Sequence, residues 1–176
     1  DCSNSNCHHP PGSGSLLHCM DVQVQTGQTK AGGDTNLVSK ALTSQSGEHV
    51  FVLLQVHADG AAGKAFQKEF LAVVQQALVD ADGEAAERLD STLKELNGLV
   101  KGLLLSKAIN DLHAAIAILG SDGVLHVSHA GRAEGYVVRG GAATQITEYT
   151  RGKPTTAFVH IASGQLERRD IVVIST

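Results

Sequence analysis

The chain has 176 residues and a mass of 18.3 kDa, with 42 % hydrophobic and 18 % charged residues, enough apolar material for one globular domain with a core of its own. The formal net charge is −4 and no basic stripe is present, which argues against direct nucleic-acid binding. The longest apolar runs fall far short of the roughly 20 residues a membrane helix needs, and with 3 % aromatics and no Trp the core must come from Val, Leu, Ile and Ala.

Residues 1–20 read as an irregular N-terminal arm rich in Ser, Asn, Gly and Pro, and residues 21–176 as the folded domain. All three cysteines, Cys2, Cys7 and Cys19, lie in the arm. An odd count confined to one terminus is no disulfide framework and fits an intracellular, reducing compartment. The arm's Cys and His residues have zinc-ligand chemistry, but their spacing matches no standard zinc motif. A polar arm of this kind, on a chain with an acidic pI, points to protein partners.

In the domain, Val22 and Val24 alternate with Gln23 and Gln25 and predict a short strand. Lys30 to Asp34 is a turn, Leu37 to Leu42 a second strand, and Gln45 to Glu48 a hairpin loop. The nearly unbroken apolar run His49 to His57 predicts a strand buried on both faces. Phe66, Phe70, Val73, Val74, Ala77 and Leu78 recur at helical spacing. Leu89, Leu93, Leu96, Val100 and Leu103 mark a second helix over 84–107, where Gly98 and Gly102 suggest a bend or close helix contact. Strands then return at 114–119, 124–129, 135–139, 142–147, 155–161 and 170–175, the first pair joined by a turn at 120–123 and the second by Gly140-Gly141. The order is strands, two helices, then a strand meander. It gives an α+β fold with an antiparallel β-sandwich flanked by helices, the two helices lying together on one outer face.

Several short motifs fall at the breaks of this pattern. Val56-His57-Ala58-Asp59-Gly60-Ala61-Ala62-Gly63 ends a strand and opens a helix. Asp34 precedes Thr35-Asn36-Leu37-Val38. Ala130-Gly131-Arg132-Ala133-Glu134 separates two strands, the second ending in Arg139-Gly140-Gly141 and followed by Gln145-Ile146-Thr147. Arg169-Asp170 opens the last strand. In this order the motifs resemble the metal-dependent serine/threonine protein phosphatases of the type 2C (PPM) class. That family has Asn-Glu-Asp, Asp-Gly-x-Gly-Gly, Gly-Asp-Ser-Arg and Gln-Leu-Thr at the corresponding places.

The resemblance implies hydrolysis of phosphoserine or phosphothreonine esters by two Mg²⁺ or Mn²⁺ ions that activate a bridging water. It implies Asp34 and Asp59 as metal ligands, the Gly60 carbonyl as a further ligand, and Lys30 as the group that holds the substrate phosphate. Hard cations need such oxygen donors. The chain also departs from the pattern. Gly33 replaces the Glu of Asn-Glu-Asp, Ala62 the first paired Gly, and Arg132 the Asp of Gly-Asp-Ser, followed by Ala133 and Glu134. The implied reading is a degenerate member, a phosphatase-like pseudoenzyme that serves as a structural or protein-binding module in a larger assembly, with no confident catalytic residue and no cofactor. The alternative is an active Mg²⁺- or Mn²⁺-dependent phosphatase whose remaining ligands follow Thr176.

Overall fold

Turn chemistry and alternation set the first hairpin. In the computed structural model, which describes residues 22–27, 35–58, 60–149 and 152–176, β1 (Thr35–Thr43) pairs antiparallel with β2 (His49–His57). The turn between them closes through Ser44 N–H to Glu48 O at 2.9 Å, with Gly47 in the left-handed region at φ +84°. Helix α1 (Ala62–Val74) runs into a π-turn (Gln75–Val79), and α2 (Ala85–Leu105) returns beside it. Then come β3 (Asp111–Leu119), β4 (Val124–Ala130), β5 (Glu134–Arg139), β6 (Ala142–Gln145), β7 (Ile161–Gln165) and β8 (Ile171–Ser175).

The strands form two antiparallel sheets, one ordered β1-β2-β3-β4-β7 and one ordered β6-β5-β8. Both helices cover the same face of the five-stranded sheet. Phe66, Phe70, Val74 and Leu78, with Leu89, Leu93, Leu96 and Val100, bury against Val50, Val52, Leu54 and Val56 of β2 and Leu112, Ala114, Ile116 and Ile118 of β3. Fully burying one such side chain is worth about 1.5–3 kcal/mol, so this layer carries most of the stability. A smaller cluster forms on the opposite face. Ala117, Leu119, Leu125 and Val127 pack there with Phe51, Ile146, Val172 and Ile174, which joins the two sheets.

Two of the motifs do structural work in this arrangement. Thr147, 3 % exposed, accepts the Gly135 N–H on Oγ1 at 2.8 Å, while Ile146 N–H returns to Gly135 O. Arg139 clamps the β7–β8 connection, which crosses from one sheet to the other, through Asp170 at 2.6 and 2.9 Å and Glu167 at 2.8 Å.

Several local expectations are corrected. Residues 22–27 form no strand; Val22 only packs on the smaller cluster. β2 is fully buried on one face alone, because the second sheet covers the far end of the other and leaves Leu53, Gln55 and His57 half-buried. The strand buried on both faces is β3, between residues 114 and 119, and it starts at Asp111, three residues before the apolar run. Gly98 and Gly102 face open space, with no close helix contact. The segment 155–160 is no strand. Its backbone is taken up elsewhere: Phe158 N–H and C=O bond the Asn97 amide at 2.8 Å each, and Ser128 Oγ donates to His160 O at 2.6 Å. Phe158 is thereby drawn into the helix-side core, and the strand begins only at Ile161.

Candidate functional site

The register brings the motif-bearing segments to one end of the five-stranded sheet. Thr35 opposes His57, and His57 opposes Asp111, so the start of β1, the end of β2 and the start of β3 lie side by side. Ala114 opposes Ala130, which sets the turn after β4 beside His113. The N-terminus of α1 reaches the same end. Gly60 there is left-handed at φ +60°, and a Cβ on Gly63 would run into the Asn36 side chain of β1, which would have to move. Ala62, where the family has its first paired Gly, is accommodated as the first residue of α1.

Of the residues expected at the site, Lys30, Asp34 and Asp59 lie outside the described residues, and Gly60 lies at this end. Residues on either flank of the two aspartates, Thr35 and His57, are paired with each other. Among the described residues no group of three or more His, Cys, Asp or Glu side chains could hold a metal ion.

What this end presents among the described residues is a row of histidines that the sequence pattern did not reveal as one. His57 on β2, His113 on β3 and His129 on β4 share the face that carries Phe51, Ala117 and Val127 further along the strands. His160, just before β7, stands beside His129. The His57 and His113 rings meet edge to face, centroids 5.5 Å apart. His113 Nδ1 accepts the Arg132 N–H at 3.1 Å, and its Nε2 lies 3.7 Å from Asp111 Oδ2. His129 packs edge-on against Tyr149, centroids 5.7 Å apart. The Tyr149 hydroxyl lies 3.2 Å from Glu134 Oε1 and 3.4 Å from Arg132 O. Antiparallel pairing could have placed His113 beside His57, but the apolar run that marked the strand starts one residue after His113.

The electrostatics follow from burial and mutual repulsion. Burial holds the His113 ring below the ordinary imidazole range, helped by His57 and Arg132 and opposed by Asp111. Burial also lowers His129, with His160 adding to it and Glu134 opposing. Tyr149 is raised by burial and by the Glu134 carboxylate. These rings are therefore neutral near pH 7, and the Arg132 guanidinium is exposed beside them. A separate cleft of ≈ 280 Å³ opens at β7 and is lined by Leu125, Val137, Ile146 and Leu166 among others; none of the residues above contributes to it.

No family model and no curated protein matches the sequence. Solved structures do. A stage II sporulation E family protein from Thermanaerovibrio acidaminovorans is 14 % identical over 78 % of this chain and 77 % of that one, with a TM-score of 0.55. A variant of a bacterial serine phosphatase is 15 % identical over 86 % of this chain and 73 % of that one, at 0.65. The RsbU and RsbW domains of a Mycobacterium tuberculosis protein are 19 % identical over 83 % of this chain and 40 % of that one, at 0.55. At such identities the likeness is one of fold. The chain has the fold of PPM-type serine/threonine phosphatases and of stage II sporulation E family proteins.

Proposed function

We propose that this chain is a regulatory domain of the PPM fold that engages a serine- or threonine-phosphorylated protein at the end of the sheet where β1 begins, β2 ends and the β4–β5 turn closes. It works there as a binding module rather than a hydrolase. The observation that supports this is Arg132. Its amide is tied to His113, and its guanidinium stands on the turn for which the family resemblance implies an aspartate. A cation there repels a divalent metal, while the planar fork of arginine matches a phosphate. Partner proteins inside a reducing compartment fit the confinement of the cysteines to the first 19 residues.

A second reading has its own support. Thr35 and His57 are paired, and they flank Asp34 and Asp59 in sequence. Two carboxylates next to these paired strand ends in sequence, with the Gly60 carbonyl, would be the oxygen donors that Mg²⁺ or Mn²⁺ requires, and Lys30 would then hold the phosphate. Titration of a phosphoserine peptide and its unphosphorylated counterpart, with and without Mn²⁺, separates the two. The binding-module reading expects at least a tenfold preference for the phosphopeptide, lost in Arg132→Ala, with no phosphate released. Mn²⁺-dependent phosphate release that Asp59→Asn abolishes would replace it with the hydrolase.

A further inference from the structure

Residues 131–133 carry the chain from β4 in the five-stranded sheet to β5 in the three-stranded one. Three contacts hold this crossing. Gly131 N–H donates to Thr155 O, Arg132 N–H donates to His113 Nδ1 at 3.1 Å, and the Tyr149 hydroxyl shares its proton between Arg132 O and Glu134 Oε1. Gly131 is left-handed at φ +68°, and a Cβ on it would collide with Leu112 O and with His113 Nδ1. The turn therefore sits directly on the His113 ring.

We propose that His113 is a positioning residue of the candidate site: as a neutral imidazole it seats the Gly131–Glu134 turn and so aims Arg132, and on taking up a proton it releases that turn. The role assigned to Arg132 rests on the reading under Proposed function. The latch itself rests on the hydrogen bond.

With Nδ1 as the acceptor of the Arg132 N–H, the chemistry takes one form. A ring nitrogen that accepts a backbone N–H carries a lone pair, so the single proton of the neutral ring sits on Nε2, the atom that faces Asp111. An imidazolium carries N–H at both nitrogens. Its Nδ1–H and the Arg132 N–H would then point at each other, and the bond cannot survive. The groups facing the ring among the described residues are Asp111 and the Leu112 carbonyl on its own strand, His57 from β2 and Arg132 from the turn. Asp111 and the Leu112 carbonyl favour the proton; burial, His57 and Arg132 oppose it and prevail. The latch therefore stays closed near neutrality and opens only in more acid solution than an ordinary imidazole would need. The second grip on the turn runs through Tyr149, which packs on His129. His129 in turn faces His160 and Glu134, with Glu148 and Lys153 lining the shallow cleft beside it.

The test uses the full chain. Long-range ¹⁵N–¹H correlation of the imidazoles at about pH 7.5 should show His113 as the Nε2–H tautomer. Hydrogen-exchange protection of the Arg132 amide, corrected for the intrinsic rate, should fall at least tenfold as the ring takes up its proton, an event followed by the ring's own chemical shifts as the pH is lowered, while the Leu54 amide stays protected. His113→Asn offers an acceptor near the Nδ1 position without titrating, and should hold the Arg132 amide equally at both ends of that titration. An Nδ1–H tautomer, Arg132 protection that ignores pH, or the same acid loss in the Asn variant would each overturn the proposal. If that variant does not fold, the tautomer and the wild-type titration decide. A latch that behaves as described while the phosphoserine peptide never binds would leave His113 as a positioning residue and remove the reading given to Arg132.

Discussion

Arg88 is the residue whose loss should cost this fold most among its polar groups. It is 5 % exposed, and it reaches from the first turn of α2 to the β1–β2 hairpin. Nη2 pairs with Glu48, and Nη1 donates to Leu78 O at 3.1 Å and Ala81 O at 2.9 Å. Glu48, whose side chain is 12 % exposed, also accepts from the Ser44 and Ser46 hydroxyls at 2.8 and 2.9 Å. One side chain thus ties the end of the π-turn, the loop before α2 and the tip of the first hairpin together. Arg88→Ala leaves a nearly buried carboxylate with two hydroxyls for company and strips a donor from two carbonyls. Breaking such a pair costs about 3–5 kcal/mol. At about 2–4 °C per kcal/mol for a chain of this size, the melting temperature should drop by about 6–20 °C. Urea melts followed by far-UV circular dichroism are the assay, since the chain has no Trp. Burial raises the Glu48 pKa, but its bonds to Arg88, Ser44 and Ser46 outweigh that and leave it lowered. The stability it supplies is present above the unfolded carboxylate value and lost as pH falls through the lower folded one, so the Arg88→Ala deficit should shrink in acid. Arg88→Met with Glu48→Met should lose much less than Arg88→Ala, because no unpaired charge is left behind. A deficit below about 1 kcal/mol for Arg88→Ala, or a double variant worse than the single, would refute the argument.

Two glycine contrasts and a pH profile follow from the same structure. Gly98→Ala and Gly102→Ala should each raise stability by about 0.5–1 kcal/mol, since both sit in α2 facing open space, whereas Gly131→Ala should lower it by more than about 2 kcal/mol through strain and collision; thermal melts check both. His113 and His129 titrate below the ordinary 6.5 in the folded chain, so the unfolded chain binds more protons as pH drops. Their contribution is complete above that value and declines as pH falls through it toward the folded values; urea midpoints at about pH 7.5, 6.5 and 5.5 should step downward, and the step should shrink in a double variant lacking both imidazoles.

The fold was legible because the residues that spell it also hold it. Phe66, Phe70, Val74 and Leu78 mark a helix by their spacing, and they are the residues that bury on β2. The same holds for the motifs. Thr147 of Gln145-Ile146-Thr147 bonds the Gly135 amide, Arg139 clamps the connection between β7 and β8, and Gly63 leaves room for the Asn36 side chain of β1 beside α1. These are fold-keeping residues, so a resemblance built on them reports fold faithfully. The failures are of another kind. Segment 155–160 has a strand's composition, yet it lost its ladder to Asn97 and Ser128, whose side chains lie 61 and 32 residues away in sequence. β2 reads as doubly buried, but how far the small sheet reaches along it is a tertiary property that no local window contains.

The candidate site divides along the same line. Sequence spacing could bring Thr35 and His57 to one sheet end, because they are the outer ends of the strands of a single hairpin and their pairing follows from its register; Asp34 and Asp59, next to them in sequence, lie outside the described residues. It could not supply the histidine row, which needs four segments in their true order across the sheet. His113 shows why. In sequence it is one polar residue ahead of an apolar run, and nothing nearby marks it. Only when β3 is set between β2 and β4 does it find His57 on one side and the Arg132 amide on the other. That placement turns Arg132 from a lone substitution into the tip of a turn whose backbone is fixed by a titratable ring. The chemistry of this end therefore depends on both the charge at position 132 and the protonation state of its support.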